Sequence, residues 1–466
     1  MAVNERDPAW AIHADARKKV HDLLSGREDA LGYVRALPGH DEATAKRFRE
    51  GAYYLPVTAR TAEAFSGLVF GKTPTRSNLD ALDAYLGDVT GSGQDIDRFA
   101  EQGFDGILST GAVMVLVDYP DAPDGATKAD AEAEGVRPTL KLYDATAILA
   151  ARVQKVGAAL KLSHIRVAEQ VEERDAADEF KLTQVTQVRV LDLDGAGLYR
   201  QRVFRQLNGQ WVQFGETVEP KRQNARLNVI PAFFSNPRDG EPSPARPPLD
   251  DIADISVAHL NNSAALEWAL LWTANPTPVF KGLNIGDGET VKLGSSEGLI
   301  VTEGGDAKFM EFTGSGLSEL RLALEAKRKD AALMGARMLL ETGRAAIAAE
   351  TARIERAGET SVVSGIANAL SDCLTKALTF MADWAGVSSD GIQYWLNTDL
   401  NPAGLSAQEL TALLAAWQSG AITLEDLFEN LQRAEIVDPA KSFDEHREAL
   451  DEEGGGFGTV EGGDED

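Results

Sequence analysis

The chain has 466 residues, 43% apolar and 26% charged, and carries a net charge of −27. That length exceeds the usual single domain and the apolar content supports a folded core. The charge excludes a protein that grips DNA by neutralising its phosphates, and a single cysteine, Cys373, excludes an intramolecular disulfide and a cysteine-rich zinc site.

The opening MAVNERDPAWAIHADARKKV scatters charges among its apolar residues, unlike a signal peptide, and no run is long enough to span a membrane. The expected setting is a soluble protein made in a reducing cytoplasm. The first part reads as helix and loop. Thr58 to Pro74 predicts a helix with Ala62, Phe65, Leu68 and Val69 on its apolar face and Gly71 and Pro74 as stops. Ile96 to Pro120 predicts a helix feeding a buried strand from Ala112 to Val117, and Asp121 to Pro138 is a polar loop.

From Thr139 to about Phe234 the apolar period becomes two, with hairpin signals at Asp194-Gly195 and Asn208-Gly209. This predicts a solvent-facing antiparallel meander. Ser235 to Pro248 is a Pro-rich hinge.

A long helix follows. Leu249, Ala253, Val257, Leu260, Ala264, Trp268 and Leu271 recur at intervals of three and four as one apolar stripe, and Asp250, Asp254, Ala258, Asn261 and Ala265 form a small, polar face. Asn275 to Thr313 is Gly-rich and β-like. A second helix spans about Leu317 to Met338, with Leu317, Leu320, Leu324, Ala331, Met334 and Met338 as its stripe. Glu341 to Glu350 interrupts it. A third helix runs from Thr351 to Trp384, burying Val363, Ile366, Leu370, Cys373, Ala377 and Met381. A short strand in GIQYWLNTDL and a helical pair from Leu405 to Val437 complete the order before an acidic, Gly-rich tail expected to be disordered.

No motif implies catalysis, a cofactor or a metal. Gly67 to Thr73 has one residue too few between its glycines for a phosphate-cradling loop, and it ends a helix instead of opening one. Gly294-Ser295-Ser296-Glu297-Gly298 fits a nucleophile elbow, but a strand-like Leu299-Ile-Val-Thr follows where a helix is required, and the later histidine is His446 in the tail. A hydrolase centred on Ser296 is therefore the weakest reading. Asp192-Leu-Asp194-Gly195 lacks the remaining calcium ligands and reads as a turn. His259 reads as packed or interfacial, and Cys373 as core. Lys327-Arg328-Lys329 is either a solvated helix face or a contact for phosphate or for a neighbour's carboxylates.

The stretches PPLDDIADISVAHLNNSAALEWALLWTANPTPVFKG and GARMLLETGRAAIAAETARIERAGETSVVSGIANALSDCL resemble tailed-phage portal proteins, most closely a portal-like family catalogued as a domain of unknown function. GAYYLPVTARTAEAFSGLVFGKTP and LTALLAAWQSGAITLEDLFENLQRAEI fit it too, so that the resemblance covers roughly Tyr53 to Val437. It implies an α+β portal-type fold with a mixed α/β wing, a long helical stem, a small α/β clip and a helical C-terminal crown. By position, 1–247 is the N-terminal wing region, 248–274 the first stem helix, 275–316 the clip and 317–340 the second stem helix. The tunnel loop takes 341–350, the long wing helix and strand 351–400, the crown 401–442 and the acidic tail 443–466.

The resemblance further implies a homo-oligomeric ring, usually of twelve subunits, at one capsid vertex of the virion. Double-stranded DNA passes through it without sequence readout. The terminase large subunit docks on it, head-completion or adaptor proteins follow, and capsid and scaffold proteins surround it. Leu249, Val257, Leu260, Trp268 and Leu271 are then stem-packing residues. Glu341, Thr342, Gly343 and Arg344 form the loop facing DNA, where Arg344 either touches phosphate or pairs with Glu341 or Glu350. A non-ring head or tail adaptor is the alternative reading.

Overall fold

The computed structural model describes residues 2–119, 136–174, 178, 180–222, 225–238, 240–274, 277–281, 304–310, 314, 316–336, 349–398, 407–419, 421–433, 436, 437, 442, 443 and 445–447. They form a mixed α+β structure in two compact units, Met1–Thr398 and Asp399–Asp466.

The N-terminal part is helical. α1 (Ala14–Ser25) buries Arg17, Val20 and Leu23 at a spacing of three, and α2 (Glu42–Glu50) starts where the Asp41 carboxylate accepts the Thr44 N–H at 2.7 Å. α3 (Val57–Phe70) buries Thr58, Thr61, Ser66 and Val69. Of the apolar face predicted for it only Val69 is fully buried, because this helix presents small hydroxyl side chains to its neighbours. β1 (Thr75–Ser77) pairs with the distant β14 (Gln393–Trp395).

α4 (Ile96–Thr110), capped by Asp95, ends at Gly111, where the left-handed φ of 83° turns the chain into β2 (Val113–Asp118). Only glycine fits there: an added Cβ would lie 2.1 Å from the Ala245 carbonyl oxygen. β2 is the middle strand of a three-stranded antiparallel sheet between β3 (Thr139–Asp144) and β11 (Ala232–Ser235). Thr139–Asp144 therefore belongs to this sheet and not to the meander. Its partner β2 is buried from Val113 to Val117, so the ladder sits in the core.

The meander itself contains β4 (Ile148–Val156), β5 (Ala159–Arg174), β6 (Leu182–Leu193), β7 (Tyr199–Leu207) and β8 (Gln210–Val218), each hydrogen-bonded to the next. Asn208 and Gly209 both have positive φ, 50° and 80°, as a two-residue hairpin turn requires. Asp194 accepts the Ala196 and Leu198 N–H groups and so builds the preceding turn. A two-residue ladder of β9 (Lys221–Arg222) and β10 (Ala225–Arg226) follows.

The two sheets are joined by charge. Arg189 of β6 lies 2.9 Å from Asp118 at the end of β2 and 2.9 Å from Glu169 of β5, and the Tyr143 hydroxyl of β3 donates to Glu169 at 2.5 Å. Burial pushes the Asp118 carboxyl up, but Lys141 and Arg189 more than offset it and hold it at about 2.

The long helix α5 (Asp250–Ala274) leads into the hairpin of β12 (Thr277–Lys281) and β13 (Asp306–Met310) and then α6 (Leu317–Ala331). Regular α-helix stops at Ala331, short of the predicted end, and continues as a widened π-type turn from Ala332 to Ala336. α7 (Ala349–Ala385) packs on β2, β11 and α4, and an added Cβ at Gly103 of α4 would meet Leu370 at 3.3 Å. Its predicted face, from Val363 through Ile366, Leu370, Cys373 and Ala377 to Met381, is buried throughout. The second unit holds α8 (Ala407–Gln418) and α9 (Leu424–Arg433). There the tail does not begin free, since Phe443 and His446 pack on Phe428 with ring centroids 5.4 and 4.9 Å away.

Candidate assembly interface

α5 is 25 residues long, about 37 Å at 1.5 Å per residue. Its first turn is clamped by ions. Lys19 of α1 reaches Asp250 at 2.8 Å and also pairs with Asp254, while Arg246 reaches Asp250 at 2.5 Å and Asp251 at 2.9 Å. Burial pushes the Asp250 carboxyl up, and hydrogen bonds from Lys19 and Arg246 more than offset it, holding it below the usual carboxylate range. Three carboxylates at a helix start also suit the helix dipole.

Polar rungs continue the grip. The Thr58 and Ser256 hydroxyls lie 2.9 Å apart, and Ser263 donates to the Tyr53 carbonyl at 2.8 Å. Asn261 accepts the Arg35 N–H at 2.9 Å and donates to the Tyr33 carbonyl at 3.1 Å. Of the small, polar face predicted for α5, Asp250, Asp254 and Asn261 are bonded to this chain's own N-terminal segment, and Asp254 stays exposed.

His259 is buried among these rungs. Burial first, then the cations Arg328 and Lys327, lower its pKa to about 4. With Arg328 and Lys327 near His259 and an added Cβ at Gly314 falling 3.9 Å from Thr273 Oγ1, α6 runs antiparallel to α5 and sets part of the Lys327-Arg328-Lys329 run beside the long helix. Arg328 and Lys329 are exposed and Lys327 is half-buried, with Lys329 paired to Glu325 at 3.0 Å.

The far end of α5 differs. Trp268 packs on His40, on Phe48 of α2 and on Trp272, with centroids 5.3, 5.8 and 6.2 Å apart. Beyond this cluster large apolar groups lie open: Leu271 is 53% exposed, Trp272 49%, Leu322 of α6 58% and Phe309 of β13 62%. Exposed apolar groups mark a contact site where they share one patch.

The predicted packing residues therefore divide. Leu249 and Leu260 are fully buried inside the chain, Val257 and Trp268 are half-buried, and Leu271 is open. Leu260, read from the sequence as a stem-packing residue, is already buried within the chain itself. Glu341, Thr342, Gly343 and Arg344 lie outside the described residues, as does the elbow-like segment 294–298. The sequence reading missed the clamp from α1 to α3. Its signal was present in Arg17, Val20 and Leu23, three apart, and in Lys19 as the partner for Asp250. Among the described residues no group of three His, Cys, Asp or Glu side chains could hold a metal ion, and no helix is long and apolar enough to cross a membrane.

Residues 248–385 match a family described as a domain of unknown function, DUF4055. The matched stretch covers α5, the β12–β13 hairpin, α6 and α7 to its last residue. The chain is similar to one in the neck of an empty gene transfer agent particle computed with C6 symmetry, at 15% identity over 84% of this chain and 93% of that one, with a TM-score of 0.39. It is also similar to one in the virion of a native gene transfer agent particle, at 16% identity over 86% and 97%, with the same TM-score of 0.39. No curated protein matches.

Proposed function

We propose that the chain is a portal-type subunit of a phage-like particle, assembling into a ring through which double-stranded DNA passes. The observation that carries this reading is the division of the α5–α6 pair. One end is bonded into its own chain, and the other, with the β12–β13 hairpin, exposes Leu271, Trp272, Leu322 and Phe309. A rod held at one end and apolar at the other supports packing against a copy of itself.

The charge agrees with passage rather than grip. With −27 per subunit, the assembled wall repels phosphate, so duplex DNA moves without being held by counterion release. In this reading the α5–α6 pair is the stem and the hairpin is part of the clip, on which the terminase and later the adaptor proteins dock. Lys327, Arg328 and Lys329 are local cations in an acidic tube. The loop at 341–350 reaches toward DNA with Arg344.

Negative-stain imaging of the purified protein tests the proposal. Annular particles with a central hole are the expected result. Monodisperse monomers, or assemblies without a hole, overturn it.

A further inference from the structure

Neither edge of the five-stranded meander carries a further strand among the described residues, and the two edges are unlike. Among the described residues β4 pairs only with β5 and β8 only with β7. The N-terminal segment touches β4 through the Asp7 N–H bond to Leu149 O and an Arg152–Asp7 ion pair, and the strand is exposed beyond Arg152. β8 is exposed over most of its length. Unpaired strand edges offer a row of backbone donors and acceptors to another strand.

The side chains at the two edges are complementary. Between Ala151 and Ser163 the sequence has Arg152, Lys155 and Lys161 and no acid, in a chain that is otherwise strongly acidic. Between Leu207 and Glu219 it has Glu216 and Glu219 and no base. Arg152 is tied to Asp7 and Glu219 to Arg226, so Lys155, Lys161 and Glu216 are the charges available to a partner. The apolar surface is also paired. Phe214 on β8 is 52% exposed, with Arg205 over its ring at 3.8 Å. Beside β4 a groove of about 410 Å³ is lined by Val153, Leu160, Leu162, Phe233, Phe234 and Pro242, together with the polar Glu241, Ser243 and Lys376.

We propose that β8 of one copy of this chain runs along β4 of the next, with Phe214 seated in that groove and Glu216 against Lys155, which lies on the same face of the sheet as Val153, Leu160 and Leu162. The contact is heterologous, joining two different patches of the same chain, and such contacts propagate head to tail until a rotation closes them. Four antiparallel steps bring β8 back to the direction of β4, so copies that share an orientation meet in the parallel sense. The inference rests on the ring proposed above, but it places a second belt of contacts on the meander, away from the α5–α6 pair.

The test is thiol cross-linking of the full chain. Cys373 is fully buried, so introduced cysteines report alone. Gln154→Cys and Thr217→Cys are made singly and together, and each protein is treated with a short bismaleimide. The double variant is expected to give a ladder of covalent multimers, with neither single variant cross-linking. In the double-cysteine background Lys155→Glu should abolish the ladder, and adding Glu216→Lys should restore it. Dimers from a single variant would mean that like edges meet, and would overturn the proposal. Annular particles without a ladder would overturn it while leaving the ring intact. A parent chain that stays monomeric would overturn both.

Discussion

His259 sits on α5 between Ser256 and Ser263, and the fold keeps it neutral: burial first, then Arg328 and Lys327, hold its pKa at about 4 against an ordinary 6.5. A group depressed in this way binds a proton in the unfolded chain before it does so in the fold. Its contribution is fully present above pH 6.5 and is lost as the pH falls toward 4. Asp105 acts oppositely. Burial raises its carboxyl to about 6, so its contribution is present at low pH and is lost as the pH rises from 3.8 through 6. The two therefore partly cancel in the parent, and the test must be differential. Between pH 6.5 and 4 the melting temperature of the parent should fall relative to that of His259→Gln, and parallel curves would remove His259 from the account. Arg189 offers a larger effect. It is mostly buried between Asp118 and Glu169, and removing one partner of a buried ion network strands the others at a cost of about 3–5 kcal/mol. Arg189→Ala should lose that much stability in urea denaturation. A change below about 1 kcal/mol would show that water replaces the guanidinium freely.

At the scale of elements, α5 shows what periodicity reveals and what it conceals. The spacing of Leu249, Ala253, Leu260 and Ala264 specified a helix with a buried stripe, and all four are buried. It could not specify what buries them. An apolar stripe is the same in sequence whether its cover comes from α1 and α3 of the same chain or from another copy. Leu260 and Leu271 separate the two cases. Leu260→Ala opens a cavity in the chain's own core and should cost about 2–5 kcal/mol, lowering the melting temperature of the unassembled protein. Leu271→Asp changes an exposed position, so it should leave that melting temperature in place and reduce the assembled fraction in light scattering. If both variants melt like the parent and both assemble, this division of the helix is wrong. Thr139–Asp144 failed for a related reason: its alternation is that of a strand, but the choice of sheet is made by the ladder with β2, a contact distant in sequence from the meander. On α3 the buried positions are Thr58, Thr61 and Ser66, which an apolar-stripe search passes over.

For the whole molecule, the order of elements could be read before their contacts could. The helix–strand step at Gly111, the hairpin at Asn208-Gly209 and the buried face of α7 follow from local chemistry, namely a left-handed turn, a two-residue loop and a three-to-four repeat. The candidate interface was only half legible, because exposure is set by what the rest of the chain leaves uncovered. In mechanical terms α5 is a cantilever. Lys19, Arg246 and the hydroxyl rungs fix its root as far as Ser263, and the aromatic group around Trp268 is the last support from the N-terminal segment among the described residues, with α6 packed beside the helix. Beyond it about two turns project. The deflection of a beam clamped at one end grows with the cube of its free length, so compliance is concentrated in those last turns and in the hairpin they carry. A load on the tip then becomes a torque on the Trp268 cluster, leaving the ion clamp at the root nearly still.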